Sequence, residues 1–270
     1  MVFGVGAVLP ANAIVTRHDT GYSRFLARET DYPAVFPLHV NQQRKTCVAT
    51  LIAPRWALTA AHCTTQTPLR AALQAGEHYS ITIAGQQFAA DRLVYHPAWS
   101  VTADRVFDPQ QIDLALIRLT TDVTHIASLP LYAADDELGQ IMTFLGWGYS
   151  GIGRTGTSVN DGRLRFARNA VSQADRQLYF EFNDPDGPAS EAVAFEGIPG
   201  LGDSGGPALI TAGGAIWLAG IAVGELVPGG MTELPLAAGG RYGATVVYER
   251  ISHHIDWIRQ VMAADLATAK

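Results

Sequence analysis

The stretch Gly202-Asp203-Ser204-Gly205-Gly206-Pro207 sets one hydroxyl among glycines. A serine hydroxyl is a weak nucleophile, so chemistry there needs a base beside it and donors aimed at the charge its attack creates. Gly202 can adopt φ > 0 and turn its N–H toward the same point as the N–H of Ser204, a two-donor nest for an oxyanion. The same string also suits an ordinary Gly-rich turn. Two further stretches supply other reactive side chains. Thr59-Ala60-Ala61-His62-Cys63 follows the apolar run Cys47-Val48-Ala49-Thr50-Leu51-Ile52, and Asp113-Leu114-Ala115-Leu116-Ile117 lies between that and the serine. Ser204, His62 and Asp113 are the types of a nucleophile, a base and an orienting acid.

In this order the three stretches resemble the T-A-A-H-C, D-[IL]-A-L and G-D-S-G-G-P motifs of the chymotrypsin/trypsin-like serine peptidase family, in its bacterial secreted form. Tyr95-His96-Pro97, Gly146-Trp147-Gly148, Leu218-Ala219-Gly220-Ile221 and Tyr248 through Trp257 extend the resemblance from about Ile14 onward. It implies an all-β fold of two six-stranded antiparallel β-barrels with a C-terminal α-helix. The first barrel would occupy 14–129 with His62 and Asp113, and the second, with the helix, 130–270 with Ser204. The implied activity is endopeptidase cleavage through an acyl-enzyme. His62 would move the Ser204 proton to the leaving amine, Asp113 would fix the His62 tautomer, and the N–H groups of Gly202 and Ser204 would form the oxyanion hole. Asp203 would pair with a new α-amino group at Ile14, and Cys47 would be disulfide-bonded to Cys63.

The chain also departs from the family pattern. Thr16-Arg17 stands where two glycines are usual, Gly200 where a cysteine is frequent, and Val223 where a serine hydroxyl often contacts the aspartate. The substrate pocket implied by the resemblance would use Ile198, Val223, Gly224 and Val246. Ile198 replaces the acid of trypsins, Val246 replaces a glycine, and the usual Trp is missing near Val223-Gly224-Glu225. An uncharged, shortened pocket favours small or medium aliphatic residues before the scissile bond, with Glu225 available to a basic residue elsewhere. Glu77–Gln86, a calcium loop in some relatives, offers no second carboxylate, so no metal is expected and no cofactor is needed.

Twenty-seven Gly and fourteen Pro among 270 residues, scattered between short apolar runs, favour strands and tight turns. A net charge of −6 without a basic cluster argues against a nucleic-acid partner. Protein or peptide substrates acted on by a monomer are the expected partners. Cys47 and Cys63 are the only cysteines; two free thiols of a cytosolic protein are the alternative to the implied bridge. Residues 1–13 are uncharged and end in Ala11-Asn12-Ala13, like the back of a secretory signal, which points to a secreted or periplasmic product with no membrane attachment after processing. A short disordered leader is the other reading.

Runs at 34–40, 47–53, 81–95 and 112–119, then 141–147, 163–171, 177–183, 206–212, 216–223 and 243–249, read as strands. Helical spacing is confined to Tyr248–Leu266, where Ile251, Ile255, Ile258 and Met262 share a face and the Ser252 region can cap. Two other functions fit parts of the pattern. An α/β-hydrolase esterase would read Gly202–Gly206 as G-x-S-x-G with His253 downstream, although Gly205-Gly206-Pro207 is a poor helix start. A peptidase-like binding protein would keep the barrels without the chemistry.

Overall fold

The computed structural model describes residues 14–41, 45–100, 111–188, 190–226 and 239–268; the leader expected at 1–13 lies outside them. The first strand is β1 (Ile14–Thr16), followed by β2 (Val35–His39), β3 (Lys45–Ala53), β4 (Trp56–Thr59), β5 (Tyr79–Ile83), β6 (Gln86–Tyr95) and β7 (Ala115–Leu119). Next come β8 (Ile141–Gly146), β9 (Ser150–Ile152), β10 (Gly156–Val159), β11 (Arg165–Ala170), β12 (Gln173–Ala174) and β13 (Gln177–Glu181). The last are β14 (Gly197–Ile198), β15 (Pro207–Ala212), β16 (Ala215–Leu226) and β17 (Thr245–Arg250). Helices are few: α1 (Cys63–Gln66), α2 (Leu69–Gln74) and the terminal α3 (Ile255–Thr268).

Two barrel-like sheets organise these strands. Among the described residues the first has six strands in the order β2-β3-β4-β7-β6-β5. Its edge strands meet again, because the Tyr79 hydroxyl on β5 donates to the His39 carbonyl on β2 at 2.8 Å and accepts from its N–H at 3.1 Å. That clasp makes the sheet nearly a closed barrel. The second is a half-barrel of seven strands rather than the expected six, in the order β11-β8-β15-β16-β17-β13-β12. The added strand is the two-residue β12, which pairs with β13 at its edge. A third sheet, β10-β9-β1-β14, gathers short segments that carry too little alternation to read as strands from sequence.

Two local corrections have clear causes. The run 81–95 is a hairpin, since Ala84 and Gly85 both take positive φ, 45° and 82°, and form a two-residue turn that reverses the chain. The terminal helix starts later than its apolar spacing suggests. β17 persists to Arg250, Ile251–His253 form a 3-10 turn, and the Ser252 hydroxyl donates to Glu137 Oε1 instead of capping. Ile251, Ile255 and Ile258 still bury themselves together, within the apolar cluster that fills the first sheet and extends into the second. Asp265 of α3 completes the attachment by accepting from Arg92 of β6 at 3.1 Å and from Arg118 of β7 at 2.5 Å.

Cys47 in β3 and Cys63 at the start of α1 form a disulfide across 16 positions. Among the described residues there is no free cysteine. Closing a loop of this size removes freedom mainly from the unfolded chain. Replacing both cysteines by alanine is expected to lower the unfolding free energy by about 3 kcal/mol, read from denaturant titration of purified protein. The effect should vanish when wild type is compared under reducing conditions.

Candidate active site

His62 follows β4 and opens the short turn of α1, while Asp113 leads into β7, the strand hydrogen-bonded to β4. The pairing of β4 with β7 therefore brings two residues 51 positions apart within reach. Asp113 Oδ1 accepts from the His62 backbone N–H at 2.9 Å, and Oδ2 faces His62 Nδ1 at 2.5 Å. The second contact makes Nδ1 the protonated nitrogen of a neutral ring and leaves Nε2 as the basic one. Asp113 is buried with 8% exposure, and His62 is partly buried. Burial by itself lowers the His62 pKa from the usual 6.5, but the Asp113 charge and hydrogen bond outweigh it and hold it raised.

Ser204 comes from the second sheet. Its carbonyl accepts from the Val48 N–H at 2.8 Å, which ties the serine loop to β3 beside the disulfide. Gly205 takes φ +77°, and a Cβ there would lie 2.3 Å from the Val48 carbonyl and 2.4 Å from the Thr59 hydroxyl. The loop thus reaches the strand end that leads to His62 because position 205 has no side chain. Gly202 takes φ +93°, as its expected role requires. Among the described residues, the N–H groups of Gly202 and Ser204 have no acceptor and the Ser204 hydroxyl has no hydrogen-bond partner. After Ser204 the chain enters strand β15, so the helix of an esterase-type elbow is absent from this position.

The loop is held from below by Asp203, 1% exposed. Its Oδ1 accepts from Gly148 N–H at 2.6 Å, and its Oδ2 from Gly200 N–H at 2.9 Å and from Ile14 N at 3.3 Å. Burial raises its pKa to about 6 against the pull of these three donors. A Cβ on Gly146 would sit 2.0 Å from Asp203 Oδ1, which explains the glycine before Trp147. At Gly200 a Cβ would fall 1.6 Å from the Tyr149 carbonyl, so the position that holds cysteine in relatives accepts no side chain here. Thr16 and Arg17 are accommodated: Thr16 is buried in β1, and Arg17 donates to the Val193 carbonyl and to Asp19.

The expected pocket residues lie close to the same framework. Ile198 is buried opposite Val15, and Val246 is buried in β17 opposite Glu225 and Phe180; both belong to the apolar cluster of the second sheet. Val223 is buried in the other cluster and donates nothing to Asp113, and Gly224 is half-buried. Glu225 directs both carboxylate oxygens at the Gly240 N–H, and burial raises its pKa. Glu249 was missed. It is fully buried and accepts from the Asp113 N–H at 3.0 Å; the signal for it is an acid directly after the run Thr245–Tyr248, still within strand β17.

A nearly closed six-stranded barrel, a seven-stranded half-barrel and a C-terminal helix make up a chymotrypsin-like architecture. The Trypsin family model matches residues 24–258, so the chain belongs to the trypsin family. It is 25% identical over 254 residues to a CLIP domain-containing serine protease B14 of Anopheles gambiae, covering 80% of this chain and 64% of that protein. An uncharacterized peptidase of Corynebacterium glutamicum is 27% identical over 212 residues, covering 76% and 61%. The snake venom serine protease serpentokallikrein-1 of Protobothrops mucrosquamatus is 26% identical over 243 residues, covering 83% and 80%. The chain spans roughly three fifths of the length of the first two relatives.

The His62–Asp113 geometry has opposite consequences for stability and for basicity. A raised folded pKa means that the pair stabilises the fold fully below 6.5 and loses that contribution as pH rises through the folded value. Neutral His62, able to take a proton, exists only above that value. In an NMR titration the His62 ring should show a midpoint above 6.5, and Asp113→Asn should bring it down. An unchanged midpoint in Asp113→Asn would refute the electrostatic coupling.

Proposed function

We propose that this chain is a serine endopeptidase in which Ser204 is the nucleophile, His62 the general base and then acid, and Asp113 the group that orients His62. The observation that carries the reading is the Asp113-bound imidazole, which leaves Nε2 as the basic nitrogen, beside the strand end that Gly205 packs against. Ser204 Oγ would attack the scissile carbonyl carbon as its proton passes to His62 Nε2. The carbonyl oxygen becomes an oxyanion that takes the unengaged N–H groups of Gly202 and Ser204. Collapse expels the amine with the proton from His62, and water then hydrolyses the acyl-enzyme through the same base. His62 and Asp113 come from the 14–129 half and Ser204 from the 130–270 half, so neither half would suffice alone.

The donor set on Asp203 supports a cut before Ile14. Ile14 is buried with φ +61°, a conformation that a β-branched residue adopts at a cost, and its nitrogen already points at Asp203. A free α-ammonium group at Ile14 would give the buried carboxylate a charge partner, and cleavage after Ala11-Asn12-Ala13 would create one. The disulfide supports a secreted or periplasmic setting.

Hydrolysis should disappear almost entirely in Ser204→Ala and in His62→Ala, with the double variant little worse than either, because the residues act as a unit. A serine-directed phosphonate should label wild type at Ser204, and the labelled protein should begin Ile-Val-Thr-Arg on N-terminal sequencing. Folded wild type that neither labels nor cleaves would instead support a binding protein built on the same barrels. A labelled form that starts elsewhere would sink the Ile14 reading alone.

For specificity, Ile198 and Val246 offer a basic side chain no charge, and their burial beside Val15 and Phe180 favours aliphatic groups. Chromogenic peptides differing only before the scissile bond should give kcat/KM values for Ala or Val above those for Arg or Lys. Each ill-fitting methylene should cost about 1–3 kcal/mol. Preference for Arg or Lys would assign the pocket to Glu225 instead.

A further inference from the structure

Glu249 lies near the end of β17, fully buried between Gln177 of β13 and Ile221 of β16. Its Oε1 accepts two hydrogen bonds at 3.0 Å, one from Gln177 Nε2 and one from the Asp113 N–H. The second crosses from the second sheet to the residue that leads into β7. Oε2 has no hydrogen bond among the described residues, and His254 Nε2 faces it at 3.6 Å, itself buried and without a hydrogen bond. A buried carboxylate is unfavourable unless its charge and lone pairs are met, and each of these two atoms is what the other lacks. Edge-on contact with His96 holds the His254 ring, at 5.0 Å between centroids, and His96 meets Trp257 at 4.9 Å. The His96 N–H donates to the Leu114 carbonyl, so this group is anchored one residue beyond Asp113.

The need for such an anchor follows from the Asp113 carboxylate. Among the described residues its oxygens accept from His62 alone, one from the backbone N–H and one from the ring, so the acid is held there by the residue that it has to orient. Restraint independent of His62 enters through the Asp113 backbone: its carbonyl accepts from Ala61 N–H at 3.3 Å, and its N–H goes to Glu249. We propose that Glu249, backed by His254, is a positioning residue that fixes Asp113 from behind and through it sets the His62 ring. This rests on the reading of Asp113 as the orienting acid. Besides Asp113 and His254, the titratable groups around the pair are His96, from the loop after β6, and Tyr179 of β13.

The test uses the full chain and two readouts, one independent of hydrolysis. Glu249→Ala should speed amide hydrogen exchange at Asp113 by at least about tenfold, because its acceptor is gone. Per phosphonate-titrated site, kcat should fall about 10–100-fold, as for a sub-ångström displacement of a catalytic group. KM should stay within about twofold. Glu249→Gln keeps an acceptor for Asp113 and should restore slow exchange and most of kcat. His254→Phe should fall between the two. Fewer titratable sites or a lower Tm, with exchange at Asp113 and kcat per site unchanged, would show a purely structural role and overturn the proposal. Should wild type neither label nor hydrolyse, the peptidase reading fails, while the exchange rates in Glu249→Ala and Glu249→Gln still decide the positioning role.

Discussion

The burial of the Asp203 carboxylate is the constraint on which the site depends. Three N–H groups from separate parts of the chain converge on it: Ile14 in β1, Gly148 after β8 and Gly200 before the serine loop. A buried acceptor that loses a partner costs about 1–3 kcal/mol, so these segments are held to one geometry. Even so the donors do not fully offset burial, since the pKa stays raised to about 6. The sign follows directly. Between the unfolded value of 3.8 and about 6 the folded chain binds the extra proton, so this group's contribution to stability falls as pH rises through that window. A positive charge delivered at Ile14 is the natural counterweight.

Around that anchor, each half of the fold supplies what the other lacks. The first sheet holds the imidazole and its carboxylate at the ends of adjacent strands, and the second presents a hydroxyl and two unengaged N–H groups on a loop. They share one apolar cluster, and short polar contacts pin it: Val48 to Ser204 and Asp113 to Glu249, beside the close passage of Gly205 by Thr59. Hydrogen bonds of this kind fix register where an apolar contact would allow sliding. The Cys47–Cys63 bridge closes the loop that holds both Val48 and His62, which ties the strand that anchors the serine loop to the segment that carries the imidazole.

Much of this was legible in the sequence. His62, Asp113 and Ser204 stand out because reactive types lie in long, ordered motifs, while Gly202 and Gly205 take positive φ and Gly146 leaves room for the Asp203 carboxylate. Strands in runs such as 47–53 and 206–212 were readable because burial imposes apolar residues. What stayed hidden was non-local. β1, β9, β10 and β14 owe their pairing to partners far along the chain, and their short segments carry little alternation. The turn at Ala84-Gly85 uses an alanine in a conformation that few sequences signal. The role of Glu249 was hidden because it depends on an N–H group 136 positions away. The late start of α3 has a similar origin, since β17 pairing claims residues through Arg250.

Helix α3 follows the second sheet in the chain but reaches back to the first, with Asp265 between Arg92 and Arg118 and with Ile255 and Ile258 in the apolar cluster that both sheets share. On a ribosome, where the chain emerges from its N-terminal end, the first sheet therefore waits for its cover until both sheets have been made. Its strands can pair early, yet the cluster beneath them closes last. Such a chain carries an internal order of assembly: the first sheet is buttressed only once α3 exists, so His62 and Asp113 are not fully braced before the serine loop has been made.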